Sequence, residues 1–248
     1  MSRLLVAFCF FCLPFLSWAQ AEEVIDGYDL QTSSFLTTPE TEWSLEEIKL
    51  IQSGEKNDPL RLFLITNPAD SVLLRTQSQD VIPDEDDAVL NSFIDRLYAT
   101  VTDSASMGVG IAAPQVGLLR NIIWVQRFDK EGFPFEVYLN PVIRQYSKKR
   151  QCGPEGCLSI PEVRDSVFRS YAILLEYDDR KGEHHYELVE DFTAVIFQHE
   201  IDHLNGIVFT DHVQEELAQA KAREKNKAKI IQDKEGADSP LDPNEEKD

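Results

Sequence analysis

Two histidines and a glutamate at helical spacing are the residues of this sequence best suited to chemistry. His199 and His203 are four residues apart, so in a helix both imidazoles lie on one face and can bind the same cation. Glu200 follows the first histidine and can reach a water on that cation as a proton acceptor without being a ligand. The pattern predicts a metal-dependent hydrolytic site, against the alternative of a chance spacing on a surface helix.

A buried helix must position these three side chains. The segment is apolar on nearly every side, through Phe192, Val195, Ile196, Phe197, Ile201 and Leu204. This pattern predicts a buried helix from about Asp191 to Asn205 that ends at Gly206. Buried imidazoles and a buried carboxylate need partners, which other parts of the chain must supply.

The third ligand of such a site is expected from a cysteine. A catalytic metal site keeps three protein ligands and one open position, and Cys157 is the candidate for the third ligand. A thiolate suits iron(II), zinc, nickel or cobalt rather than magnesium or calcium. The alternative is a small buried residue with no role in binding. Cys152 is close enough in sequence that we expect it to trap Cys157 as a disulfide if the metal is lost.

The order of the other elements favours an α+β fold. Strands are predicted at the segments Leu60–Ile65, Asn121–Phe128, Phe135–Val142, Tyr171–Tyr177 and His184–Val189. The net charge of −20 argues against DNA or an anionic membrane surface as the main partner. No stretch after the first twenty residues is long and apolar enough to span a bilayer.

The chain divides into four predicted regions. Residues 1–21 combine Arg3, an apolar run and small residues, as a cleaved secretory signal does; the alternative is an uncleaved membrane anchor. Residues 22–59 form an acidic N-terminal extension with one short helix, in which Ser44 and Glu47 make a capping box. Residues 60–213 form the catalytic domain, and residues 214–248 a charged helix and a disordered tail.

Three segments together resemble the signature motifs of the peptide deformylase family. They are Gly108–Gln115, Glu155–Ser159 and Gln198–His203, in the family's order and with near-standard spacing. The resemblance covers most of the chain after the predicted extension. It implies an α+β fold with mixed or antiparallel sheets around a central buried helix that carries the two histidines. It also implies a metal-dependent hydrolase that removes the formyl group from N-formylmethionyl peptides and releases formate.

The resemblance also implies roles for individual residues. Cys157, His199 and His203 match the family's metal ligands, and Glu200 matches its general base. The Gln115 side-chain amide and the Leu158 backbone N–H match the groups that stabilise the oxyanion. The residues that match the family's substrate-binding positions are Val109 and Gly110 at a strand edge, and Phe192, Val195 and Ile196 in the methionine pocket. Arg164 either contacts the substrate backbone or forms an ion pair that orients the site, and Arg169 is expected to be structural.

The predicted signal segment changes what we expect of the metal, the cellular location and the substrate. The resemblance implies iron(II), whereas zinc or nickel is plausible in an oxidising compartment, where a cysteine-ligated iron(II) site oxidises. We expect an exported monomer; the alternatives are a cytoplasmic enzyme or one anchored by its N-terminal apolar segment. Ribosome contact, through the helix with Lys221, Lys225 and Lys229, is possible only in the cytoplasm. An exported metal amidase acting on a different N-acyl substrate is the alternative function.

Overall fold

The computed structural model describes residues 43–105 and 107–237. The predicted signal, the first half of the predicted acidic extension and the predicted disordered tail lie outside the described residues. Within them, the helices are α1 Leu45–Ile51, α2 Pro68–Leu74, α3 Ala88–Thr102, α4 Asp191–Leu204 and α5 Phe209–Ala237, with a 3-10 helix at Ala113–Val116. The strands are β1 Gly110–Ala112, β2 Ile122–Gln126, β3 Phe135–Tyr146, β4 Arg150–Cys157, β5 Ile160–Ser170, β6 Ala172–Asp178 and β7 His184–Glu190.

An antiparallel sheet of five strands lies between two layers of helices. Its order is β1-β2-β3-β6-β7, and β4 and β5 form a separate two-stranded sheet. Alternate residues of β2 enter different cores: Ile122 packs in the core of α3, and Ile123 packs in the core of α4. The α+β prediction is confirmed, with α4 buried against one face of the five-stranded sheet.

The N-terminal end of the described chain packs on the α3 core. Ser44 Oγ accepts from the Glu47 N–H at 3.2 Å, and Glu47 Oε2 accepts from the Ser44 N–H at 2.8 Å, so the predicted capping box is present. Ile51, at the end of α1, is fully buried in that core. No helix in residues 43–105 and 107–237 combines the length and apolar character needed to cross a bilayer.

Two local predictions differ from the structure. Leu60–Ile65 is not a strand; the Phe63 N–H donates to the Gln115 carbonyl at 2.8 Å, and the Ile65 N–H donates to the Ser159 carbonyl at 3.0 Å. The segment therefore donates hydrogen bonds to two of the motif regions instead of pairing with a strand of a sheet. The β4–β5 hairpin was not predicted, because glycine and proline interrupt the alternation of β4.

Candidate active site

Helix α4 and the end of strand β4 bring two imidazoles and a thiol together. Cys157 Sγ lies 3.1 Å from His203 Nε2. One ligand atom from each of Cys157, His199 and His203 lies within 4.8 Å of the others. His203 is 1% exposed, and its Nδ1 is buried without a hydrogen-bond partner in the structure. The three side chains can therefore hold one ion at a single point.

The charges around Cys157 favour a thiolate. Burial alone would raise the pKa of the Cys157 thiol, but the nearby His203 and His199 outweigh burial and hold that pKa well below its ordinary value. Burial likewise would lower the pKa of His199, whereas its hydrogen bonds to Cys157 and Glu155 raise that pKa well above the usual range. A thiolate beside imidazoles is the soft donor set that binds a transition-metal ion.

A chain of ion pairs holds His199 through its Nδ1 atom. His199 Nδ1 lies 2.8 Å from Glu155 Oε2, and the Arg169 guanidinium donates to both oxygens of Glu155 at 2.8 and 3.0 Å. The other side of Arg169 contacts Asp202 at 2.5 Å, and His212 lies 2.8 Å from the same carboxylate. Burial would raise the pKa of Glu155, but His199 and Arg169 lower it to about 2. The carboxylate therefore fixes the orientation of the ring and leaves Nε2 for the ion.

The expectation that Arg169 is structural agrees with these contacts, but its partners could not be identified from sequence. Glu155 and Asp202 lie 14 and 33 residues from Arg169. Only the pairing of β4 with β5 and the packing of α4 bring them together. The position of Glu155 within the second motif was the one sequence feature that could have indicated a partner of Arg169.

The Glu200 carboxylate is buried beside the two imidazoles. It is 4% exposed, and its Oε2 has no hydrogen-bond partner in the structure. Burial raises the pKa of Glu200 to about 7, against the opposing effect of His199 and His203. A Cβ built at Gly110 would lie 2.5 Å from Glu200 Oε1, so only glycine leaves room for this carboxylate. The group can accept or return a proton near neutral pH.

Gln115 lies beside the same site. Its Oε1 accepts from the Ala112 N–H at 2.9 Å, so the amide orientation places Nε2 toward Ser159 Oγ at 3.3 Å and Cys157 Sγ at 3.5 Å. Gln115 is 2% exposed. Leu158, which follows Cys157, is half-buried and packs against the α3 core. The Gln115 side-chain amide and Leu158, the residue after β4, therefore lie next to the group formed by Cys157, His199 and His203.

A cavity of about 600 Å³ opens on these residues. It is lined by every residue predicted to bind substrate: Val109, Gly110, Arg164, Phe192, Val195 and Ile196. Strand β1 forms one wall and pairs only with β2 among the described strands, so its other edge faces the cavity. Arg164 is exposed and lies on β5, and Phe192, Val195 and Ile196 come from α4.

The predicted disulfide between Cys152 and Cys157 does not fit the fold. Both residues lie on strand β4, and both thiols are free. Five residues of extended strand span about 17 Å, whereas a disulfide requires Cα atoms less than about 7 Å apart. Cys152 therefore cannot trap Cys157 within one folded chain.

A second group of possible ligands lies at the β6–β7 turn. Asp179, Glu183 and His185 also place three ligand atoms within 4.8 Å. Asp179 Oδ1 already accepts from the Lys181 and Glu183 N–H groups at 2.9 Å and shapes the turn. These residues are more exposed than the first group and are not among the residues that line the cavity described above.

An α+β domain with two imidazoles and a thiol at one point, and a buried carboxylate beside them, is the arrangement expected of a metal-dependent hydrolase. Residues 63–219 match the family model described as polypeptide deformylase. The chain is 39% identical over 155 residues to a peptide deformylase of Caulobacter sp. (strain K31), covering 62% of this chain and 87% of that one. The chain therefore belongs to the polypeptide deformylase family, as the sequence motifs predicted.

Other relatives agree with that assignment. A peptide deformylase of Microchaete diplosiphon is 34% identical over 182 residues, which are 73% of this chain and 92% of that one. A class I type b peptide deformylase from Acinetobacter baumannii, solved with Met-Ala-Ser bound, superposes with a TM-score of 0.55 at 31% identity. That match covers 63% of this chain and 99% of the solved one. The predicted peptide deformylase-like fold is confirmed.

Proposed function

We propose that this protein hydrolyses the formyl group from N-formylmethionyl peptides and releases formate. The observation that carries the proposal is the buried Glu200 carboxylate, which has one oxygen without a hydrogen-bond partner and lies beside two imidazoles and a thiol. This group borders a cavity that strand β1, with one free edge, also lines. The metal, the general base and the substrate contacts are parts of this proposal. The same site could act on another N-acyl group, and the experiment below distinguishes the two.

Cys157, His199 and His203 would hold one divalent ion. Their fit is supported by the soft donor set, by His203 Nε2 at 3.1 Å from Cys157 Sγ, and by the Glu155 carboxylate that orients His199. When bound, the ion supplies a Lewis acid that polarises the formyl carbonyl and makes water acidic. We propose iron(II) from the family resemblance, and zinc or nickel if the protein is exported.

The other residues of the site move protons and orient the substrate. Glu200 takes a proton from the attacking water at its carboxylate and delivers it to the leaving amine. Gln115 Nε2 and the Leu158 N–H donate to the oxygen of the reacting carbonyl. The peptide backbone adds to the free edge of β1 at Val109 and Gly110.

The methionine side chain would enter the apolar part of the cavity. Phe192, Val195 and Ile196 lie on successive turns of α4 and line that wall. Arg164 is exposed and lines the cavity, where it could contact the peptide backbone. These assignments predict a strong preference for a medium-sized unbranched apolar first residue.

The test is formate release from formyl-Met-Ala by protein loaded with iron(II), nickel or zinc. We expect turnover in the loaded protein, loss after chelation and recovery on adding the ion. Glu200→Ala should lose turnover with the metal still bound, and Glu190→Ala, exposed at the start of α4, is the matched control. Hydrolysis of acetyl-Met-Ala without hydrolysis of formyl-Met-Ala would favour the other N-acyl substrate and contradict the proposal.

We propose further that the protein is exported, on the sequence of residues 1–21 alone. Fractionation of cells with N-terminal sequencing of the mature chain tests this. A mature chain that begins near residue 20 and lies outside the cytoplasm is the expected result. An uncleaved N-terminus in the cytoplasm would contradict export and would reopen ribosome contact through α5.

A further inference from the structure

Strand β7 forms the edge of the five-stranded sheet opposite to β1. Among the described strands β7 pairs only with β6, through seven consecutive residue pairs without a bulge. It contains no proline and no lysine. Edge strands normally carry such residues or a bulge, because an open row of backbone groups otherwise pairs with another chain. Strand β7 lacks these protections.

One face of β7 is apolar and exposed. Tyr186 is 62% exposed and Leu188 is 66% exposed. Exposure alternates along the strand, and Val189 on the other face packs in the α4 core, so Tyr186 and Leu188 lie on the face away from α4. Leu188 pairs with the half-buried Leu174 of β6. An apolar band therefore continues across the sheet to its open edge.

The open backbone groups of this edge belong to the residues of the exposed face. The Asp191 N–H donates to the Tyr171 carbonyl at 2.8 Å, just beyond the β6–β7 pairing. At the other end, the Glu183 carbonyl accepts from the Asp179 N–H at 3.0 Å. Backbone direction alternates along a strand, so the odd-numbered residues of β7 bond toward β6. The even-numbered residues direct their N–H and C=O groups away from the sheet: His184, Tyr186, Leu188 and Glu190.

The sequence of β7 is self-complementary about Glu187. In an antiparallel pair of two β7 strands with a two-fold axis at Glu187, Tyr186 lies opposite the partner's Leu188 and buries apolar surface with it. His184 lies opposite the partner's Glu190, as a polar pair that can hydrogen-bond. All these residues have open backbone groups, so the pairing can form about eight backbone hydrogen bonds. This register is the one that pairs all seven residues of β7.

The charge of Glu187 is compensated within each copy. At the two-fold axis Glu187 lies opposite Glu187 of the partner subunit, and like charges in that position normally destabilise a sheet. However, its carboxylate accepts from the Arg127 guanidinium at 2.7 and 3.0 Å, and Lys130 Nζ lies 3.8 Å from it. The axis therefore places no unpaired charge against another.

We propose that the protein forms a two-fold symmetric homodimer in which β7 pairs with the β7 strand of a second copy and joins the two five-stranded sheets. This dimer replaces the monomer expected from the sequence, and it does not depend on the proposed function. The free edge of β1 stays open, because it lies at the other end of the sheet. The interface is small and each copy carries a net charge of −20, so we expect a Kd on the order of 10 μM.

Sedimentation velocity of the full chain over a range of concentrations tests the dimer. A reductant is present throughout, because Cys152 is an exposed free thiol that could link two copies. We expect monomer at low and dimer at high concentration, with tighter association at high salt, because salt screens the repulsion between two acidic copies. A monomer at every concentration would overturn the proposal.

Leu188→Lys should weaken the dimer by about tenfold or more, because lysine is a residue that blocks edge pairing and would lie opposite the partner's Tyr186. The side chain is exposed, so the melting temperature of the monomer should stay close to that of the wild type. Val72→Lys is the matched control, since it adds the same charge at an exposed apolar residue on α2. An equal Kd in the two variants would contradict pairing through β7.

Cysteine cross-linking tests the register. In a Cys152→Ser background, Glu187→Cys should form a disulfide-linked dimer under mild oxidation, because side chains opposite each other at the axis lie about 5 Å apart. His185→Cys is the matched control. It lies opposite the partner's Val189, about 13 Å from its own copy, and should not cross-link. Equal cross-linking of the two variants, or of neither, would overturn the pairing about Glu187.

Discussion

At the scale of single residues, the close approach of Gly110 to the Glu200 side chain limits which residue can occupy position 110. Gly110 lies on the edge strand, and a Cβ there would lie within 2.9 Å of three atoms of the Glu200 side chain. Glycine is required here for close approach and not for a left-handed backbone, since Gly110 has no positive φ.

Gly110→Ala should displace the Glu200 carboxylate and lower kcat for formyl-Met-Ala by about 100-fold, because a shift of about 1 Å in a catalytic group has an effect of that size. Metal content should stay unchanged, since the ligands are not touched. Gly153→Ala is the control, because a Cβ at Gly153 meets no atom within 4 Å. Equal kcat values for the two variants would contradict this interpretation of Gly110.

At the scale of elements, ion pairs join the β4–β5 hairpin to α4. Glu155 on β4 and Arg169 on β5 are both less than 10% exposed, and Asp202 on α4 contacts the same guanidinium. The hairpin supplies Cys157, and α4 supplies both histidines. The ion pairs therefore set the distance between proposed ligands that come from different elements.

Glu155→Gln should weaken metal binding by about 10-fold to 100-fold, because the acceptor that orients His199 loses its charge. Competition with a metallochromic chelator measures the affinity directly, without an activity assay. Arg150→Met, an exposed change on the same strand, is the control and should keep the wild-type affinity. An unchanged affinity in Glu155→Gln would mean that the carboxylate does not orient the ligand.

A second buried guanidinium joins the β2–β3 turn to β7. Arg127 is 1% exposed and donates to Asp129 at 2.6 and 2.8 Å and to Glu187 at 2.7 and 3.0 Å. The hydrogen bonds from Arg127 hold the pKa of Asp129 below its usual value of 3.8. The charged form of Asp129 is therefore favoured in the folded protein.

The stabilising effect of Asp129 should depend on pH. Because its pKa is lowered in the folded protein, the Asp129 carboxylate contributes stability above about pH 3.8. That contribution is lost as the pH falls through the pKa of Asp129 in the folded state. The difference in the free energy of unfolding between wild type and Asp129→Asn should therefore be largest near neutral pH and shrink in acid. Denaturant titrations across that range measure it, and a difference that stays constant would contradict the ion pair's contribution.

At the scale of the whole molecule, the catalytic core includes part of the predicted acidic extension. Besides the buried Ile51, Glu47 of α1 accepts from Arg120 at 2.7 and 2.8 Å. The Arg96 guanidinium donates to the Leu50 and Ile51 carbonyls at 2.9 Å. The boundary at residue 59 remains a prediction, but these contacts indicate that the segment from about residue 43 stabilises the domain.

Ile51→Ala should lower the free energy of unfolding by about 2–5 kcal/mol, because it leaves a cavity in the α3 core. Leu45→Ala, on the same helix and 71% exposed, should change it by less than about 0.5 kcal/mol. Chemical denaturation of the two variants measures both values. Similar values would mean that α1 is not part of the cooperative core.

The sequence by itself determined the local structure and indicated the residues of the candidate site. The capping box of α1, the extent of α4 and the shared face of His199 and His203 depend on interactions within about four residues, so a spacing is enough to predict them. The three motifs were specific enough together to indicate the family. Cys157 was a candidate for the third ligand from its residue type, and the resemblance favoured it over a buried residue with no role in binding.

Only the tertiary structure decided which distant groups meet. Arg169 between Glu155 and Asp202, and the rings of Phe192, Phe128 and Phe133 in a row, depend on strand pairing and helix packing across tens of residues. The Leu60–Ile65 segment had the alternation of a strand, but its N–H groups donate to the Gln115 and Ser159 carbonyls, which are not part of a β-sheet ladder. Such contacts depend on the register and packing of whole elements, which no local spacing encodes.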